Sequence, residues 1–278
     1  MNRVRIIADS TSDLIPTVRE QVQVVPLTIH FGDQEFVDGI TINTDEFYDK
    51  LVNGGVLPTT SQPTPAAFDA LFEEAVRAGD SVVVVTIASR LSGTYQSASI
   101  AAADYPGKVF VVDSENVAIG AGILIDYALQ LAEQGQTAAQ IAGELNAAKK
   151  NLRLYAVLDT LDYLHKGGRI SRTVAIAGGL LSLKPIITSV EGELKMVGKA
   201  RGNKKANETM NQLFGIDSVD FSKPVLLGYT GQSDELLKKY IAESDPFWGG
   251  RSFPCTVVGS TVGTHAGPGA VAVAFFAK

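Results

Sequence analysis

Residues 81–98 read SVVVVTIASRLSGTYQSA, and the order of residue types in this stretch sets the architecture. Residues 82–87 form an apolar, mostly β-branched run, short for a helix and suited to a strand covered on both faces. Ser89, Ser92, Gly93 and Thr94 follow as a hydroxyl-rich turn, and YQSASIAAA after them reads as a helix. The start of a helix carries unpaired N–H groups and the positive end of the macrodipole. Ser92 and Thr94 therefore have two open readings, as caps of that helix or as groups that help hold an anion.

Upstream and downstream the same pattern returns. Residues 4–8 are apolar and end in Asp9-Ser10-Thr11-Ser12-Asp13, and residues 109–112 end in Asp113-Ser114. Strands that alternate with helical segments predict a parallel sheet flanked by helices, whose carboxyl ends face a ligand crevice. Residues 22–31 (VQVVPLTIHF) include Pro26, which demotes part of the run to an edge strand. Asn43 and Glu46 form a capping box before a helix, and Thr64-Pro65 begins another. Between these two, residues 57–65 (LPTTSQPTP) contain three prolines and read as irregular, leaving Thr60 and Ser61 free to donate to a ligand or merely to join two elements. Helices are also expected over residues 120–133 and 137–151. Gly120-Ala121-Gly122 is only part of a dinucleotide fingerprint, because Ile125 stands where the third glycine belongs.

After about residue 150 the texture changes, which divides the chain into residues 1–152 and 153–278. Glu191-Gly192 is a hairpin turn, so this second α/β domain is expected to have a mainly antiparallel sheet. Lys166, Arg169, Arg172, Lys195, Lys199, Arg201, Lys204 and Lys205 fall close together here, reading as a docking or phosphate-facing surface or as a solvated face. Residues 178–183 (GGLLSL) are expected to pack a core or to wall an apolar cavity, with Leu180 and Leu181 facing inward. His265 sits among glycines and reads as a loop residue near a ligand.

Composition narrows the function classes. The 278 residues are 45% hydrophobic, enough for a sizeable core. The net charge of −6 offers no global attraction to nucleic acid or to an anionic bilayer. One cysteine, Cys255, permits neither an intrachain disulfide framework nor a cysteine-built metal site. No stretch is apolar for membrane-spanning length, so a cytoplasmic protein with at most transient membrane contact is expected. The nucleophile elbow, the P-loop and the zinc-protease helix motif do not occur, and neither a cofactor nor a metal is expected.

Five motifs, taken together and in order, resemble the DegV family. They are residues 9–13 (DSTSD), 58–63 (PTTSQP), 91–98 (LSGTYQSA), 166–171 (KGGRIS) and 265–269 (HAGPG), and they span almost the whole chain. The resemblance implies a bacterial fatty-acid-binding protein in which one acyl chain lies between two α/β domains. It further implies a non-catalytic subunit of a fatty acid kinase, whose partner kinase subunit phosphorylates the bound carboxylate to an acyl-phosphate for phospholipid synthesis. Carried over by position, Thr60 and Ser92 would hold the carboxylate with His265 near it, and Arg169 and Arg201 would meet the kinase; Ser61 and Gly93, next to these hydroxyls, are expected at the carboxylate as well. Leu27 and Ile29 would join Leu180 and Leu181 in the cavity wall. His165 stands where the family commonly has a second lysine, which slightly lowers the positive charge expected of the docking face. The competing reading is a hydrolase or acyltransferase with Ser92 as nucleophile and His265 as base.

Overall fold

The computed structural model of the chain describes residues 3–171 and 182–278. Its strands in the first half are β1 (Val4–Asp9), β2 (Gln23–Val25), β3 (Thr28–Phe31), β4 (Gln34–Val37), β5 (Thr59–Ser61), β6 (Ser81–Thr86) and β7 (Val109–Asp113). The helices between and after them are α1 (Pro16–Arg19), α2 (Thr44–Asn53), α3 (Pro65–Arg77), α4 (Thr94–Ala102), α5 (Ile119–Glu133) and α6 (Ala138–Ala148). The second half contains β8 (Leu152–Val157), α7 (Asp162–Lys166), β9 (Leu183–Val190), β10 (Glu193–Arg201) and α8 (Asn203–Phe214). It continues through β11 (Leu226–Tyr229), α9 (Glu235–Trp248), β12 (Cys255–Val257), α10 (Ser260–Ala266) and β13 (Val271–Phe276).

The valine run becomes β6, an interior strand of a parallel sheet ordered β2-β1-β6-β7, as its two-sided apolar character requires. Residues 22–31 break at Pro26 into two strands: β2 ends the parallel sheet, while β3 leaves it. In that departure β3 pairs with β4 and with β5, giving a small antiparallel sheet that the sequence reading did not anticipate. The proline-rich stretch 57–65 was expected to be irregular, yet Thr59 to Ser61 form β5, because the prolines at 58 and 63 fall outside the paired residues.

The second sheet is ordered β10-β9-β8-β13-β11-β12, antiparallel throughout except for the β11/β12 pair. Its hairpin turns at Glu191 (φ 51°) and Gly192 (φ 80°), the two positive values that a two-residue turn of this twist requires. Alternation along β13 sends Val271, Val273 and Phe275 into a core with α8 and α9, and Ala272, Ala274 and Phe276 to the opposite side. That opposite side joins Ile6, Ala8, Val83 and Val85 of the parallel sheet in one buried cluster, with α5 between the two sheets. Sandwiched in this way, α5 is apolar nearly all round. Its glycine pair serves contact: a Cβ on Gly122 would lie 2.7 Å from the Asp13 carbonyl oxygen. Among the described residues no helix is long and apolar enough to cross a membrane.

Candidate functional site

The carboxyl ends of β1 and β6 and the inner face of the second sheet enclose a cavity of about 300 Å³. Two alanines make the space: Ala156 on β8 lies directly across from Ala272 on β13, where larger side chains would fill it. Leu154, Ile187 and Leu194 extend this wall, and Leu27, Ile87 and Val117 face it from the first half. Of the other wall residues expected from the sequence, Ile29 is a correction. It is fully buried in a separate cluster with Phe31, Phe47 and Tyr48, since β3 belongs to the small sheet and uses Ile29 as that sheet's own core. Leu180 and Leu181 lie outside the described residues.

Polar groups from several elements enter the cavity, Thr11, Thr230 and Thr261 among them. Thr60, Ser61, Ser92, Gly93, Arg169 and His265 all line it. Thr60 Oγ1 and His265 Nε2 lie 3.0 Å apart, joining residues 205 positions distant. The Ser61 hydroxyl is engaged with His30 Nε2 at 3.0 Å. Ser92 Oγ and Thr94 Oγ1 lie 2.9 Å apart in the turn before α4. The residue at the cap position of α4 is Gly93, which has no side chain to cap with, while Ser92 Oγ, one residue earlier, accepts the Thr94 N–H at 3.4 Å. Gly93 is instead covered by Gln62, whose amide donates to Ser97 Oγ at 3.0 Å, tying β5 to α4.

His265 is not the loop residue its glycine neighbours suggested; it occupies the last turn of α10. Its ring lies over Gly167, where an added Cβ would stand 2.1 Å from Nδ1. Nδ1 is buried without a hydrogen-bond partner. Burial, and then the nearby Arg169 guanidinium, push the imidazole down from its ordinary 6.5 to about 4, so it is neutral at pH 7. Arg169 donates through Nε to the Leu91 carbonyl at 3.1 Å and through Nη1 to the Gly167 carbonyl at 2.6 Å. It thereby pins the turn after α7 to the Ser92 turn and brings a permanent cation to the cavity. The sequence reading assigns Arg169 to the docking face and not to the carboxylate group, whereas its side chain lines the cavity. The missed signal is its place two residues after Gly167, which gives the guanidinium a carbonyl to bind beside the histidine. Arg201, at the end of β10, is exposed and does not line the cavity.

These positions bear on the nucleophile reading. The serine-base pair it needs is not formed: His265 Nε2 is engaged with Thr60, and Ser92 Oγ with Thr94. The orienting group is lacking too, since Nδ1 has no partner. The arrangement offers hydroxyls, a neutral imidazole and one cation at an apolar cavity, a combination suited to an amphiphile with an anionic head.

Known proteins with this fold share its whole length. A DegV domain-containing protein of Caldanaerobacter subterraneus subsp. tengcongensis is 36% identical over 282 residues, covering 100% of both chains. A solved structure of a DegV family protein from Thermus thermophilus, described as showing fatty acid binding, superposes with a TM-score of 0.88 at 30% identity, over 99% of this chain and 100% of that one. A fatty acid (stearic acid)-binding protein from Eubacterium ventriosum gives a TM-score of 0.87 at 28% identity, over 100% of this chain and 99% of that one. The family model described as an uncharacterised protein of the DegV family matches residues 3–278, and the chain belongs to that family.

Proposed function

We propose that this protein binds a long-chain fatty acid with its tail in the cavity and its carboxylate among Thr60, Ser61, Ser92, Gly93 and His265. The observation that carries the reading is the gathering of hydroxyls, an imidazole and a guanidinium at a mainly apolar cavity of about 300 Å³. Tail burial dominates the affinity: about 14 methylenes at about 0.8 kcal/mol each give a gross term of roughly 11 kcal/mol, before the cost of ordering the chain. The hydroxyls and the imidazole orient the head group and offset its desolvation, and the nearby Arg169 lowers the cost of the charge. A carboxylate that enters also favours the protonated form of His265, partly reversing the effect of burial.

The protein is read as a non-catalytic, cytoplasmic carrier that presents the carboxylate to a kinase subunit, which phosphorylates it to an acyl-phosphate. Hydroxyl donors leave a carboxylate oxygen able to attack phosphorus, while the partner supplies the metal and the remaining positive charge. Mass spectrometry of the purified chain after incubation with fatty acids tests the first part. The expected result is a lipid-sized adduct that is lost on denaturation. A covalent adduct on the Ser92 peptide would favour the nucleophile reading instead. With a kinase subunit present, the double variant Ser92→Ala and Thr60→Ala is expected to lose most acyl-phosphate formation. A wild-type rate there would remove these hydroxyls from the mechanism.

A further inference from the structure

The DSTSD motif that closes β1 takes no part in the cavity's polar set beyond Thr11, yet it is among the most buried polar segments of the chain. Asp9, Asp13 and Asp38 are each less than 10% exposed. Asp9 ties its own loop to the end of β6, accepting the Thr11 N–H at 2.9 Å and the Ile87 N–H at 2.7 Å. Asp13 and Asp38 reach elsewhere. Asp13 Oδ1 accepts the Gly259 N–H at 2.7 Å, and Asp38 Oδ2 accepts from Thr261 Oγ1 at 2.6 Å. Tyr48, from α2, donates to the Val258 carbonyl at 3.0 Å. A loop, a strand end and a helix from the first half thus all grip residues 258–261, where α10 begins. Seven residues long, α10 carries His265 in its final turn. Among the described residues no cluster of His, Cys, Asp and Glu is arranged to hold a metal ion.

We infer that Asp13 and Asp38 are positioning residues for His265, fixing the first turn of α10 so that its last turn presents Nε2 to Thr60 and the cavity. A helix of two turns is stiff, so a shift at Gly259 is passed to the imidazole. Space leaves little tolerance: a Cβ on Gly263 would lie 2.6 Å from the Tyr48 hydroxyl, and the ring of His265 rests on Gly167. Burial raises the pKa of both carboxyls above the usual carboxylate range, Asp13 well above it. The acceptor oxygen that each offers to α10 is present in either protonation state, so asparagine is the conservative replacement.

The inference rests on the fatty-acid reading only for its binding arm. In the full-length protein, the imidazole nitrogens of His30, His165 and His265 are followed by NMR against pH, with His265 assigned by the variant His265→Gln. Amide exchange at Gly263 and oleate binding are measured alongside. In Asp13→Ala the His265 resonances move and its titration rises toward the ordinary 6.5, while His30 and His165 stay in place. Gly263 exchanges faster, and oleate binds about tenfold more weakly, the loss of one hydrogen bond to the helix. Asp13→Asn stays within about twofold of wild type in all three measurements. If Asp13→Ala does not fold, Tyr48→Phe, which removes one hydroxyl, is expected to move the His265 signals in the same direction by less. A melting temperature that falls while His265 keeps its shifts and titration overturns the positioning role. Wild-type protein that takes up no oleate overturns the fatty-acid reading and leaves the His265 arm to decide the clamp.

Discussion

At the scale of single residues, the site depends on a close fit between His265 and Gly167. Any side chain at 167 collides with the imidazole, so Gly167→Ala is expected to displace His265 from Thr60 and to weaken fatty acid binding by about tenfold, the scale of one hydrogen bond. Competition with a fluorescent fatty acid checks this, and unchanged binding would detach His265 from the head-group site. The same histidine couples stability to acid. Its pKa is lowered from 6.5 in the unfolded chain to about 4 in the folded one, so the unfolded state takes up a proton first as pH falls. The contribution is complete above pH 6.5 and is lost on the way down to about pH 4. His265→Gln should therefore flatten the fall in chemical-denaturation stability over that interval. The buried carboxyls act with the opposite sign. With a folded pKa above the unfolded value, Asp13 contributes most below the ordinary 3.8 and loses that contribution as pH rises. Asp13→Asn should gain stability relative to wild type as the pH is raised.

At the scale of elements, the cavity is built by small side chains in register. Ala156 and Ala272 face one another on adjacent central strands, and replacing either with leucine fills space that the proposed acyl chain would occupy. Ala272→Leu is expected to shorten the longest acyl chain that binds, with only a modest change in melting temperature, since the added carbons enter a cavity and not a packed core. A series of saturated fatty acids of increasing length would reveal this as a cut-off; an unchanged length profile would place the tail elsewhere. The strands of the parallel sheet were legible in the sequence, because apolar runs between polar turns leave few alternatives. The Glu191-Gly192 hairpin, the Asn43/Glu46 capping box and the start of α3 at Pro65 were legible too, each being set by local chemistry. What could not be read was set by distant partners. β5 is a strand only because β3 lies beside it, and His265 is helical only because residues 258–261 are held from three sides. Ile29 looked like any apolar wall residue until the small sheet claimed it.

At the scale of the whole molecule, the two sheets share one buried cluster and the cavity lies where they meet, so neither sheet alone encloses it. Each of the five motifs that carry the family resemblance supplies at least one residue to the cavity lining, which is why short sequence segments far apart in the chain pointed to one site. The order of the second sheet also governs how the protein is made. Its two central strands are β8 and β13, so Val157 waits for Val271 before the middle of the sheet can close. During synthesis the parallel sheet can be complete while β8 still has an unpaired edge, and the wall formed by Ala156 and Ala272 arises only after β13 leaves the ribosome. Closing so long a loop is slow, and the exposed edge is open to wrong partners meanwhile. Refolding should accordingly show the fatty-acid site appearing in the slowest phase, after most helical signal has returned, so the capacity to bind marks the last step of folding.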